Sequence, residues 1–322
     1  MTILVLGGTQ FVGRHIVETL LHGGHSVTIL NRGVTTDALP GHVERLRGDR
    51  DAGLGGLAAL ADRTWDVCVD VSGYTPRQVR PSTERLRRNV GRYVFISAVS
   101  VYGDPTRGPV SENQPRSAPA AEDVAEITQE TYGPLKVTCE DIVAVMFPGR
   151  CALLRPQVIA GAHDPLSRFG YWVARAARGG EMLAPGDGSD YVQYIDAGDL
   201  ARFARIVCEQ GLDGALNLAG PRLTWAEFVE ALGAQSPVWV PKESLRAAGM
   251  GERELPLYRP TGGPRSSLMH ICNARAIAAG LTLTAPEMTI AAVRIWLRNS
   301  DQPPALSPER EAALLLLARS RA

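Results

Sequence analysis

The sequence has no net charge: 34 basic residues face 34 acidic ones in a chain of 322. A partner that needs a broad basic field, as nucleic acid does, is therefore not indicated. Cysteine is scarce and shows no pairing pattern. Cys68, Cys139, Cys151, Cys208 and Cys272 are scattered, odd in number and without a C-x-x-C. That argues against a disulfide frame and a zinc site, and reads as reduced thiols of a cytoplasmic protein. Long hydrophobic runs are missing. Ile3 to Leu6 lacks a basic leader and is too short for a signal peptide, and Ala312 to Ala318 is far short of a bilayer span, so no membrane is expected. Internal repeats and low-complexity linkers are absent. The six histidines form no close ligand spacing, so no metal is expected either.

What is present is ordinary globular composition, 45% hydrophobic and 21% charged. The N-terminal half alternates. "TILVLG", "HSVTILNRG", "WDVCVDVSG" and "RYVFISAVSVYG" read as strands. Between them, "FVGRHIVETLLHGG", "GLGGLAALADR" and "RQVRPSTERLRRNV" read as helices. Strands separated by helices make βαβ units and a parallel sheet covered on both faces. The expected fold is α/β: a Rossmann-type doubly wound parallel sheet with a smaller, mostly α C-terminal part that binds substrate. The dinucleotide-type domain should span 1–160, with elements from about 187–220 returning to it, and 161–322 should form mainly the smaller part. "AGDLARFARIVCEQG" is helical, a helix should start near Thr224, and Ser307 with Pro308 should open the last one. Trp172, Trp225 and Trp239 read as packing residues.

"LGGTQFVG" places glycines between a strand and a helix start. A pyrophosphate on backbone N–H groups at a helix's positive end needs that close approach, which a Cβ would block. Gly7, Gly8, Thr9, Gln10, Phe11, Val12 and Gly13 are thus candidate cofactor contacts, with Gln10 where a further glycine is common. The second strand ends in Asn31-Arg32, without the acid that takes a ribose 2′-hydroxyl. Arg32, with Arg14, can pair a 2′-phosphate, which favours NADP(H) while leaving NAD(H) open. Asp49 either meets the adenine edge or caps a helix. Ser72 and Ser97 stand at strand ends beside the same pocket.

"GGTQFVG", "FISAVSVYG" and "YGPLK" together resemble the extended and atypical short-chain dehydrogenases/reductases, in the epimerase/dehydratase branch, over most of the chain. The resemblance implies Tyr132 as acid/base and Lys136 as its partner and a ligand of the nicotinamide ribose. Four-residue spacing puts both on one helix face. Pro134 requires that helix to begin near Tyr132. The family's usual serine or threonine falls at Ala98. On an extended strand Ser100 shares a face with position 98 and can replace it, or only cap local backbone. Tyr74, Tyr102 and Gln157 are candidate substrate contacts. The Asp-Glu pair of the sugar-nucleotide dehydratases is here Val99 and Ser100. The arginine that grips a nucleotide diphosphate falls at Val192, beside Gln193. Both changes argue against a nucleotide sugar.

These readings make the chain an NAD(P)-dependent oxidoreductase acting at a carbinol or ketone of a small polar molecule, as a ketoreductase or as an epimerase through a transient ketone. The alternatives are a non-catalytic dinucleotide-binding sensor or RNA-associated protein, and a lyase that uses bound NAD(P) as a transient oxidant. The resemblance also allows a homodimer through helices such as 132–146.

Overall fold

The computed structural model describes residues 1–105, 107–300 and 304–319. Six strands of the first half, β1 (Thr2–Leu6), β2 (Ser26–Asn31), β3 (Glu44–Arg47), β4 (Trp65–Asp70), β5 (Val90–Ile96) and β6 (Cys151–Pro156), are joined by a seventh, Gly214–Leu218. Spatially they run 214–218, β6, β5, β4, β1, β2, β3, and every pairing is parallel. The order reverses between β1 and β4, the switch point at which open α/β sheets bind ligands.

The greasy runs are explained by burial on both faces. Ile3 and Val5 point to one side, against α1 (Phe11–His22) and α5 (Ala197–Gln210), through Ile16, Val17, Leu20, Leu200 and Phe203. Leu4 and Leu6 point to the other, with Val79 and Leu86 of α2 (Pro76–Leu86) and Cys139, Ile142 and Val143 of α3 (Tyr132–Met146). Each flanking helix shows the sheet an apolar stripe, and β1 fills the middle of both cores.

The expected helix over "GLGGLAALADR" is instead a 3₁₀ stretch, Gly55–Leu60, broken at Leu57, where φ is −109° and ψ 17°. Two glycines at its start lower helix propensity enough for the shorter form to prevail. The C-terminal part is mixed rather than mostly α. Three two-stranded pairings accompany its helices, among them Ser236–Val240 on Glu181–Pro185. Its own core gathers Phe169 and Trp172 of α4 (Arg168–Arg178), Trp225, Phe228, Ile290 and Leu314. Trp172 and Trp225 meet edge to face, 5.0 Å between ring centroids, as packing. Thr224 forms a capping box with Glu227, and the last helix, Pro308–Arg319, opens with the Arg310 N–H on Ser307 Oγ at 3.3 Å. Among the described residues, no helix is long and apolar enough to cross a membrane.

Candidate active site

A cavity of about 570 Å³ lies along the C-terminal ends of the strands. The glycine turn forms one wall. Gly7 and Gly8 have φ of +105° and +98°, which side-chain-bearing residues rarely adopt. A Cβ on Gly7 would come within 2.7 Å of Val71, and one on Gly13 within 2.8 Å of the Gly8 backbone. Thr9, Gln10, Phe11 and Val12 line the cavity with them. The cradle thus has the shape that a dinucleotide phosphate requires at the start of α1.

At the end of β2, Asn31 and Arg32 line the cavity, as does Asp49. Asn31 Oδ1 accepts from the Gly33 N–H at 2.9 Å and from the Arg47 guanidinium. Its Nδ2 is buried without a partner. Asp49 caps the 3₁₀ turn Arg50–Ala52, accepting the Asp51 N–H at 3.0 Å. Arg14 does not join this group. Its Nε donates to Glu18 Oε1 at 2.8 Å, one helical turn on, and it is absent from the lining. Arg47 carries no signal in the sequence. The parallel register that sets it opposite Asn31 supplies that contact.

The other wall holds Tyr132, Lys136, Ser97, Ser100, Ser72, Tyr74 and Gln157. α3 begins at Tyr132, so Pro134 sits in its first turn. Lys136 is 2% exposed and donates to Gly73 O at 2.8 Å and Ile96 O at 2.9 Å. Its ammonium lies 5.9 Å from the Tyr132 ring centroid and 5.1 Å from that of Tyr74. Burial pushes the Lys136 ammonium down to about 8, against the pull of Cys139, Asp70 and Glu140. Burial also pushes the Tyr132 phenol well up, helped by Tyr74 and opposed by Arg168, which lines the same cavity.

The strand-face reasoning for Ser100 fails. β5 stops at Ile96, and Val99–Tyr102 is a 3₁₀ turn. Because the chain has already turned, Ser97 and Ser100 both reach the cavity, and Ser97 Oγ is buried without a partner. Tyr102 is a correction. It is 4% exposed and outside the lining. Its hydroxyl donates to Asn217 Oδ1 at 2.7 Å and accepts from Arg155 Nη1 at 2.8 Å, while Arg155 is also bidentate to the buried Glu140. Gln157 lines the cavity, but its amide is held by Leu268 O and the Val158 N–H. Arg50 and Arg259 are lining residues that sequence reasoning missed. Their carboxylate partners are Asp70, which lies 20 positions from Arg50, and Glu252. Among the described residues no three His, Cys, Asp or Glu gather in a way that could hold a metal.

The model of the NAD dependent epimerase/dehydratase family matches residues 79–219. The chain is 27% identical to the 2′-dehydrokanamycin reductase of Streptomyces kanamyceticus over 298 residues, 82% of each chain. It is 26% identical to the UDP-glucose 4-epimerase of Neisseria meningitidis serogroup C, over 75% of this chain and 84% of that one. In fold it resembles the UDP-glucose 4-epimerase of Thermus thermophilus in complex with NAD, with a TM-score of 0.66 at 21% identity, covering 94% of this chain and 100% of that one. With the glycine cradle at the switch point of the sheet, these likenesses make the chain similar to the NAD dependent epimerase/dehydratase family over residues 79–219, and to a UDP-glucose 4-epimerase in fold.

Proposed function

We propose that the protein transfers hydride at a carbinol or ketone of a small polar molecule, as a reductase or as an epimerase through a transient ketone. One observation carries this reading: the glycine cradle and the Tyr132/Lys136 pair line a single cavity. Bound nicotinamide supplies the hydride chemistry. In reduction the Tyr132 phenol gives its proton to the substrate oxygen, and in oxidation it takes that proton back. Lys136, held by the Gly73 and Ile96 carbonyls, lends positive charge to that exchange. Burial, with Tyr74, raises the phenol against Arg168, so its use as a base relies on Lys136, Arg168 and the oxidised cofactor's charge. Ser100, a lining residue of the cavity, is the donor that stands in for the one missing at Ala98.

The cofactor is NADP(H) in preference to NAD(H). Beyond β2 the cavity is lined by Arg32 and by Asn31, whose side-chain oxygen is already taken by the Gly33 N–H and Arg47. Donors without a free acceptor suit a 2′-phosphate, which only accepts. The substrate is not a nucleotide sugar. Val192 is fully buried, and the Gln193 amide is consumed by Gly220, by the Ile271 carbonyl and by the Ile271 N–H. The name of the Streptomyces relative, 2′-dehydrokanamycin reductase, supports reduction as the net reaction.

Tyr132→Phe tests the role of the phenol. NADPH oxidation with a panel of small polar ketones should fall by about a hundredfold or more, while NADPH binding followed by fluorescence stays within about twofold of wild type. No turnover in either protein, with NADPH binding retained, would favour the non-catalytic binder, a reading to which Ala98 lends weight, and equal turnover in both would remove the phenol from the reaction.

A further inference from the structure

The turn after β4, Asp70 to Gly73, touches both walls of the cavity, and each of its four residues has a separate attachment. Asp70 is fully buried. Its Oδ1 accepts from Arg50 Nη1 at 2.7 Å and the Ser72 N–H at 3.1 Å, and its Oδ2 accepts from Arg50 Nη2 at 2.7 Å and the Tyr93 hydroxyl at 2.8 Å. Val71 packs where Cβ atoms of Gly7 and Gly13 would stand, at 2.7 and 3.0 Å. Ser72 Oγ donates to Leu6 O, the last carbonyl of β1, at 3.0 Å, and accepts from Arg50 Nη1 at 3.1 Å. Gly73 O accepts from Lys136 Nζ at 2.8 Å. A Cβ on Gly73 would lie 2.9 Å from Asp70 Oδ2, so the turn also closes tightly on its own anchor.

A buried carboxylate–guanidinium pair adds little stability over an apolar filling of the same volume, because desolvation offsets the attraction. What it adds is direction: four donors converge on one carboxylate and fix the turn's orientation. Burial disfavours both charges, and their mutual attraction outweighs it, keeping Asp70 ionised and Arg50 charged.

We propose that Asp70–Gly73 is a joint that sets the dinucleotide loop and the lysine in register with one another, with Asp70 as its positioning residue. Asp70 makes none of the contacts assigned above to substrate or cofactor. It acts through Val71 and Ser72 on the glycine cradle and through the Gly73 carbonyl on Lys136. The proposal rests on the reading of Lys136 and the cradle given under the proposed function.

The chain's composition makes the test direct. Lys136 and Lys242 are the only lysines in the sequence. Protein grown on lysine labelled with carbon-13 at Cε therefore gives two side-chain resonances, which Lys242→Arg assigns. The groups around the Lys136 ammonium are Cys139 and Glu140 on its own helix, Asp70 and Arg50 behind the turn, and the Tyr74, Phe95 and Tyr132 rings. In nucleotide-free wild type the Lys136 signal should titrate near 8. Asp70→Asn should move that midpoint downward, because a carboxylate favouring the ammonium is gone. Ser72→Ala leaves Asp70 in place and should still displace the Lys136 resonance. Each variant should also weaken NADP⁺ binding by about fivefold or more.

If Ser72→Ala weakens NADP⁺ while the Lys136 signal keeps its wild-type position and midpoint, or the reverse, the two walls are independent and the joint is refuted. Should Asp70→Asn fail to fold, Ser72→Ala and Val71→Ala decide the matter by the same two measurements. A wild-type protein that binds neither NADP⁺ nor NAD⁺ would sink the functional reading instead. The nucleotide-free lysine signal would then decide the joint by itself.

Discussion

Asn31 turns its oxygen to Gly33 and Arg47 and keeps its amide nitrogen buried without a partner. Asn31→Asp would replace that nitrogen with a carboxylate oxygen, which repels a 2′-phosphate and accepts from a 2′-hydroxyl. The ratio of the NADP⁺ and NAD⁺ dissociation constants should then swing towards NAD⁺ by at least about tenfold, as titration of intrinsic fluorescence would show. An unchanged ratio would remove Asn31 from cofactor choice. Residues of this kind are legible when their partners are close in sequence. The glycine turn, and Tyr132 with Lys136, depend on spacings of a few residues. Tyr102 is misread from sequence because its partners, Arg155 and Asn217, lie 53 and 115 positions away. Asp70 and Arg50 are invisible as a pair for the same reason.

α3 shows how an element fixes the relative position of two candidate catalytic side chains, Tyr132 and Lys136. The 3₁₀ turn that carries Ser100 rests on the first turn of α3 at Gly133, where a Cβ would stand 2.4 Å from Ser100 O. Glycine is required there by contact, not by backbone conformation. Gly133→Ala should separate the two elements and cost about 1–3 kcal/mol by urea unfolding, as overpacking does. Ketone reduction should fall at the same time. Full stability in the variant would mean that the contact is looser than the structure has it. The alternation of strand and helix is largely readable from period, the 3₁₀ stretch Gly55–Leu60 apart, and the start of α3 at Tyr132 is readable from Pro134. The point where β5 ends is not. "FISAVSVYG" stays apolar through Ile96 into the turn, with no glycine or proline where the strand ends. α3 also differs from a surface helix. Its middle, Leu135 to Glu140, is wholly buried, in part beneath the segment from which Arg116 reaches Glu140 and the Ala120 carbonyl accepts from Thr138.

At the scale of the molecule, the cores on the sheet and the C-terminal core share one chain, and neither set is contiguous in sequence. The strand pattern places the sheet in the first 160 residues with a later return, and Gly214–Leu218 pairs to β6 from that later stretch. The second core is closed by the last helix. Glu311, 3% exposed, accepts from Arg175 Nε and Arg178 Nη2 at 2.7 Å and from the Leu183 N–H at 3.0 Å. Glu311→Ala would strand Arg175 as an unpaired buried charge. It should cost about 3–5 kcal/mol in chemical denaturation, with dinucleotide binding less affected than stability. A loss of under about 1 kcal/mol would show that the brace behaves as a surface pair. Ser307 and Pro308 announce the helix in the sequence, but nothing there announces the buried ion pair, whose partners lie 136 positions apart.

That interleaving bears on how the polypeptide is made. During synthesis the dinucleotide half must wait, one strand short, until residue 218 has left the ribosome. The other half stays open until the carboxylate at 311 has followed it. A nascent chain arrested anywhere between those points would have its sheet complete and the apolar surface of the second core open, which makes the final hundred residues the stretch where premature termination is most exposed to chaperones and proteases.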